Sequence, residues 1–128
     1  MDFKWMLEIL IIAALIWFVY KRFAGVKDLK NLMPDQFQNE LKSNQKKILI
    51  DVREPMELQQ GYIPGAINIP LSQMKKRLSE IPKDRKIFLY CRSGMRSMQA
   101  ARILRKDGYR DLAHLHGGIV SWKRKLAK

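Results

Sequence analysis

The stretch KIFLYCRSGMRSMQAARILRKDGY, residues 86–109, constrains the fold more than any other part of the chain. KIFLY (86–90) is an apolar run too short for a helix, and it reads as a buried strand. SMQAARILRKDGY (97–109) reads as a helix. Ala100, Ala101 and Leu104 share one face, and Gly108 suits the stop. A strand passing straight into a helix predicts a parallel sheet, because parallel neighbours need a crossover connection.

The flanking segments repeat the alternation. MPDQFQNEL (33–41) predicts a helix, with Pro34 near its start and Asp35 in its first turn. KKILIDV (46–52) predicts a second buried strand. REPMELQQGY (53–62) predicts a short helix ended by Gly61, and IPGAINIP (63–70) a turn and a brief strand. LSQMKKRLSEI (71–81) predicts a helix with Leu71, Met74 and Leu78 on one side. DLAHL (111–115) predicts another strand, and GGIVSWKRKLAK (117–128) a terminal helix. The fold class is therefore α/β, a parallel sheet flanked by helices on both faces. With 128 residues, 47% hydrophobic and 29% charged, one compact domain with a packed core is expected.

The amino terminus has a different character. Ile9 to Tyr20 is unbroken apolar and aromatic sequence, and Met6 to Tyr20 is interrupted only by Glu8. This is slightly short of the roughly 20 apolar residues of a full span. Lys4, Lys21 and Arg22 can snorkel, and Trp5, Trp17 and Tyr20 suit the interfaces. A cleaved signal peptide needs a small-x-small site, which YKRFAG supplies poorly. An interfacial helix needs a polar face, which residues 9–20 lack. The expectation is one transmembrane helix in residues 1–25, in contact with membrane lipid, followed by a domain over 26–128. Lys21, Arg22, Lys27 and Lys30 outnumber Lys4 across the span. A single-pass cell-membrane protein with a cytoplasmic domain is expected.

Lysine and arginine outnumber acids 25 to 12, a net charge of +13, which favours an anionic partner. The basic residues are scattered without a reading motif, so no nucleic acid partner is expected. Cys91 is the only cysteine, so an intramolecular disulfide is excluded. It stands where a strand ends, the place where open parallel sheets bind ligands. CRSGMR (91–96) then bridges to a helix. Gly94 permits a tight curl, and a curl entering a helix aims N–H groups at one point. The helix dipole, Arg92 and Arg96 add positive charge, so the Cys91 thiol is expected to ionise readily. Ser97 is expected to cap the helix or donate to a bound anion.

These motifs resemble the rhodanese family: IDVREPMELQQGYIPGAINIPL (50–71), YCRSGMRS (90–97) and HLHGGIVSW (114–122), in that order. The resemblance implies a rhodanese-like fold, with catalytic Cys91 and a substrate-binding loop of Arg92, Ser93, Gly94, Met95 and Arg96. Asp51, Val52, Arg53 and Glu54 match the family's DVRE element; Gly117, Gly118 and Trp122 match its glycine–tryptophan element. Tyr62 departs from the histidine that many members carry. The implied activity is sulfur transfer, through a Cys91 persulfide, from a small anionic donor such as thiosulfate. Lacking a second cysteine, the chain needs an external acceptor: a thiol, cyanide or a protein. No cofactor and no metal are expected.

Three other readings bear on the same residues. A phosphatase or arsenate reductase of related shape is the nearest rival, but tyrosine phosphatases have C-x5-R, which would put arginine at 97, where this chain has Ser97. A tethered binding module would use the fold without catalysis. His114 and His116 form H-x-H on a strand, sharing a face, but no further ligands are evident. Asp51 and Arg53 are expected to form a structural ion pair rather than to act chemically.

Overall fold

The computed structural model describes residues 2–23, 25, 26 and 28–128, with Phe23 by its backbone alone. Met1, Ala24 and Lys27, the last being one of the basic residues counted after the span, lie outside the described residues.

Five parallel strands form one sheet in the order β1-β5-β4-β2-β3. They are β1 (Leu29–Leu32), β2 (Lys47–Asp51), β3 (Ile67–Asn68), β4 (Lys86–Tyr90) and β5 (Leu112–Leu115). β4 is central and buried throughout, which explains its unbroken apolar sequence. Its side chains alternate between two cores. Ile87, Leu89 and Cys91 pack with Ala100, Ala101 and Leu104 of helix α3 (Met95–Lys106). Phe88 and Tyr90 pack with Phe37 and Leu41 of helix α2 (Pro34–Ser43) and with Trp122. Phe37 meets Phe88 and Trp122 edge-on, at ring centroid distances of 5.4 and 6.1 Å.

Several expectations meet the structure at a shifted boundary or in a different form. The first strand, β1, occupies residues that carry no clear strand signal. Its LKNL sequence is half polar, and pairing with β5 from Leu29–Leu112 to Leu32–Leu115 holds it in place. Residues 71–81 form two 3-10 turns, Leu71–Lys76 and Leu78–Glu80, instead of one helix. Arg77 breaks the run at φ −113°, ψ 16°; its guanidinium reaches Asn68 O, Gln73 Oε1 and Glu80. Met74 is nonetheless buried, and Leu71 and Leu78 pack beside it.

The terminal helix over 117–128 does not form. Only Ile119–Ser121 turn, as a 3-10 segment. Beyond it the chain runs back to Tyr62, and Tyr62 and Ala127 exchange backbone hydrogen bonds of 2.9 and 2.8 Å. Leu126 packs on the α2-side core. Satisfying backbone groups across the domain and burying Leu126 outweigh a helical pattern that is mostly lysine and arginine. The tail KRKLAK is therefore not a helix end.

Asp51 and Arg53 form the buried ion pair expected of them, at 2.7 Å with both side chains at most 5% exposed. Arg53 also donates to the Gly61 carbonyl at 2.8 Å and its own N–H to Asp51 Oδ1 at 3.0 Å. The pair staples the end of β2 to the turn after residues 55–60. Tyr90 accepts the Ile63 N–H at 3.0 Å beside it; burial first, then the Asp51 charge, raise its phenol above the ordinary range.

Helix α1 (Phe3–Phe23) stands apart from both cores. Over Phe3–Arg22 its mean hydropathy is 1.9 and none of it is buried. It is long and apolar enough to cross a bilayer, a property that signal sequences share.

Removing one member of a buried pair strands the other charge. Asp51→Ala is expected to destabilise the domain by about 3–5 kcal/mol, measured by denaturant unfolding of the detergent-solubilised chain. A loss below about 1 kcal/mol would show that the pair braces nothing.

Candidate active site

β4 ends at Tyr90 and delivers Cys91 to the rim of the sheet; α3 starts four residues later at Met95. Gly94 makes the reversal possible. It lies at φ +110°, a conformation that side-chain-bearing residues rarely adopt. The curl folds the Gly94 N–H back onto Cys91 Sγ, at 3.0 Å. The sulfur thus faces a backbone donor at the amino end of a 12-residue helix.

A second loop supports the first. The Ile119 N–H donates to Cys91 O at 2.9 Å and the Val120 N–H to Arg92 O at 3.3 Å. Gly118, at φ +66°, lies directly against the Arg92 and Ser93 backbone. A Cβ there would overlap the Arg92 carbonyl, so the contact requires glycine on both counts.

Cys91 is only 1% exposed. Ser97 is fully buried behind it. Its Oγ stands 3.7 Å from Cys91 Sγ and 3.0 Å from both the Gly94 carbonyl and His114 Nδ1. Its one proton goes to the carbonyl or the imidazole, and its lone pairs receive the thiol S–H. His114 is itself buried, and burial holds it below the usual histidine range, with the charge of His116 adding a smaller push. It is therefore neutral near pH 7 and able to accept from Ser97.

The structure brings together only some of the expected site residues. Cys91, Gly94 and Ser97 converge. Arg92, Ser93 and Met95 are exposed on the outer side of the loop. Arg96 departs from the expectation of a free charge beside the thiol. It is clamped to Glu57 by two hydrogen bonds of 2.6 and 2.8 Å. The Arg96 hydrogen bond, above all, holds the Glu57 carboxyl down at about 2; the Glu54 N–H also donates to it at 2.8 Å. Arg96 in turn is raised, first by Glu57 and in lesser part by the Cys91 sulfur. Glu57 carries no sequence signal for this role, because it lies 39 residues away on a different element. The His114 contact is equally remote in sequence. The H-x-H pair does not lie on one strand: His114 is in β5 and His116 is in the turn just past its end, though both line one cleft. Each imidazole has its own neighbour, Ser97 for His114 and Asn31 for His116.

Two clefts flank the loop. One, of about 370 Å³, is lined by Arg92 with Arg53, Glu57 and Ile119. The other, of about 440 Å³, is lined by Ser93, Gly94 and Met95 with His114, His116 and Val26.

Comparison with known proteins assigns this geometry to a family. The Rhodanese-like domain family matches residues 33–125. The chain belongs to that family. A sulfurtransferase of Allochromatium vinosum is 48% identical over 77 residues, covering 60% of this chain and 72% of its own. YqhL of Bacillus subtilis, described as uncharacterized, is 39% identical over 122 residues, 94% of each chain, so the likeness reaches well into α1. Among solved rhodanese structures, the Thermoplasma volcanium rhodanese-related protein superposes with a TM-score of 0.69 at 29% identity, covering 77% of this chain and 97% of its own. A rhodanese from E. coli, solved with anions, gives 0.57 at 36% identity, covering 64% and 98%. The rhodanese fold, with its parallel sheet between helical layers, is thus established, and sulfurtransferase-named relatives support sulfur transfer for the family.

The Glu57–Arg96 clamp carries a pH signature. A carboxyl whose folded value is depressed stabilises the fold fully above its unfolded value near 4.5 and loses this as pH falls toward 2. The stability gap between wild type and Glu57→Gln is expected to be about 1 kcal/mol or less, since the pair is one-third exposed. Thermal melts across pH should show the gap constant above pH 4.5 and closing below it. A gap that widens on acidification would contradict the assignment.

Proposed function

We propose that this chain is a membrane-anchored sulfurtransferase that carries sulfane sulfur on Cys91. The observation that carries the reading is the Gly94 N–H directed at Cys91 Sγ from the head of α3. A backbone N–H and a helix amino terminus both face the sulfur that would carry the transferred atom.

The reaction follows in two displacements. The Cys91 thiolate attacks the outer sulfur of a donor such as thiosulfate. The donor's S–S bond breaks, sulfite leaves with the bonding pair, and a Cys91 persulfide forms. An external nucleophile then attacks the terminal sulfur, the new S–S bond breaks, and the thiolate returns. Arg92, exposed on the outer wall of the loop, attracts the anionic donor, while Ser93, Gly94, Met95 and Arg96 shape the loop that receives it. Arg96 serves from its clamp on Glu57, as a framework charge. The near-complete burial of Cys91 favours donors that present a slim terminal sulfur. Cyanide, a thiol or a protein serves as acceptor.

Helix α1 anchors the domain, which by the excess of basic residues after the span lies on the cytoplasmic side. The likeness to YqhL over most of α1 supports a helix that belongs to the working protein.

The test is turnover of thiosulfate and cyanide to thiocyanate by the full chain in detergent. Wild type should turn over, and Cys91→Ser should fall by at least about a thousandfold. An aryl phosphate run in parallel separates the phosphatase reading. Phosphate release that depends on Cys91, without thiocyanate, would refute sulfur transfer. Unchanged turnover in Cys91→Ser would refute the role of the thiol.

A further inference from the structure

The sulfur chemistry leaves unused a basic cleft at the other end of the sheet. Its volume is about 660 Å³, and it lies at the amino ends of β2 and β4, near Lys47, Ile48 and Arg85. Cys91, six residues after Arg85, is about 20 Å away along the strand direction.

Five cations line this cleft: Lys42, Lys47, Arg85, Arg124 and Lys125. No aspartate or glutamate does. Lys47 is engaged by the Leu41 carbonyl and Arg124 meets the exposed Asp35 at 3.6 Å. Lys42, Arg85 and Lys125 are exposed and have no carboxylate partner among the described residues. Between the cations lies apolar surface from Leu41, Ile63 and Ile67. Trp122 lines the cleft as well. It is 9% exposed, yet its indole Nε1–H has no hydrogen-bond partner among the described residues. That N–H is itself buried, so Trp122 serves here as an apolar wall of the cleft.

The charge of the cleft, with the exposed apolar residue beside it, sets the class of occupant. β3 has two residues, pairs with β2 and has no strand on its other side, and its Asn68 carbonyl accepts from Arg77. Ile67 on this edge is 42% exposed. An extended peptide of alternating acidic and apolar residues matches cations set around apolar surface, its side chains reaching alternately into the cleft. A bilayer fits less well. The chain leaving α1 joins the α3 layer, where Arg102 donates to Arg22 O and Val26 and Leu29 pack, whereas the cleft belongs to the α2 layer.

We propose that this cleft docks an acidic segment of a partner protein, with an apolar residue against Ile63 and Ile67. The docking site is separate from the Cys91 loop and stands whether or not sulfur transfer is the activity.

The test uses the full chain in zwitterionic nanodiscs, with Trp5→Phe and Trp17→Phe leaving Trp122 as the sole tryptophan. The probe is a synthetic peptide of about eight alternating glutamate and leucine residues. Its glutamine counterpart is the control. Titration should shift Trp122 emission, with the glutamine peptide at least about tenfold weaker. Arg85→Glu with Lys125→Glu should weaken binding at least about tenfold. Lys75→Glu with Lys106→Glu, an equal charge change on the α3 side, should weaken it by less than about threefold. Arg85→Gln with Lys125→Gln repeats the test if charge reversal impairs folding. Equal losses from both charge reversals, or no binding by the glutamate peptide, would overturn the proposal. So would binding confined to vesicles containing phosphatidylglycerol.

Discussion

The hydrogen bond from the Gly94 N–H to Cys91 Sγ, at 3.0 Å, is the contact around which the domain is organised. It exists only if the chain turns sharply between β4 and α3. That turn needs the positive φ of Gly94, and it needs a backing. Gly118 supplies the backing by letting the 117–120 loop lie against the Arg92–Ser93 backbone. The Ile119 and Val120 N–H groups then satisfy the carbonyls of Cys91 and Arg92. Two glycines, 24 residues apart in sequence, therefore act on one small curl.

Charge around the loop is divided between frame and surface. Asp51–Arg53 is buried and ties β2 to the following turn. Glu57–Arg96 is half-buried and ties that turn to the start of α3. Arg92 remains on the outer wall. Reading every arginine of the 91–96 loop as a substrate contact would miss this division. The guanidinium at 96 is held in a bidentate pair, whose geometry fixes a helix start more firmly than a lysine would.

The strands and helices that bury one clear face were legible in sequence. KIFLY, KKILIDV and MPDQFQNEL state their periods plainly, and Cys91 with its loop stood out as a strand-to-helix junction. What escaped was set by distant partners. β1 is strand because β5 lies beside it, and the tail is extended because Tyr62 pairs with it. Ser97 to His114 and Arg96 to Glu57 span 17 and 39 residues, with no local pattern to announce them. The burial of Cys91 was likewise invisible, since it arises from packing against α3 and contact with Ser97.

The central claim is that the curl holds a reactive sulfur, and intact mass spectrometry tests it most directly. The full chain, reduced and then treated with one equivalent of thiosulfate, should gain the mass of one sulfur atom. Peptide mapping should place it on Cys91, and cyanide should remove it. A chain that stays unmodified under these conditions, or that gains sulfur equally well as Cys91→Ala, would contradict the account.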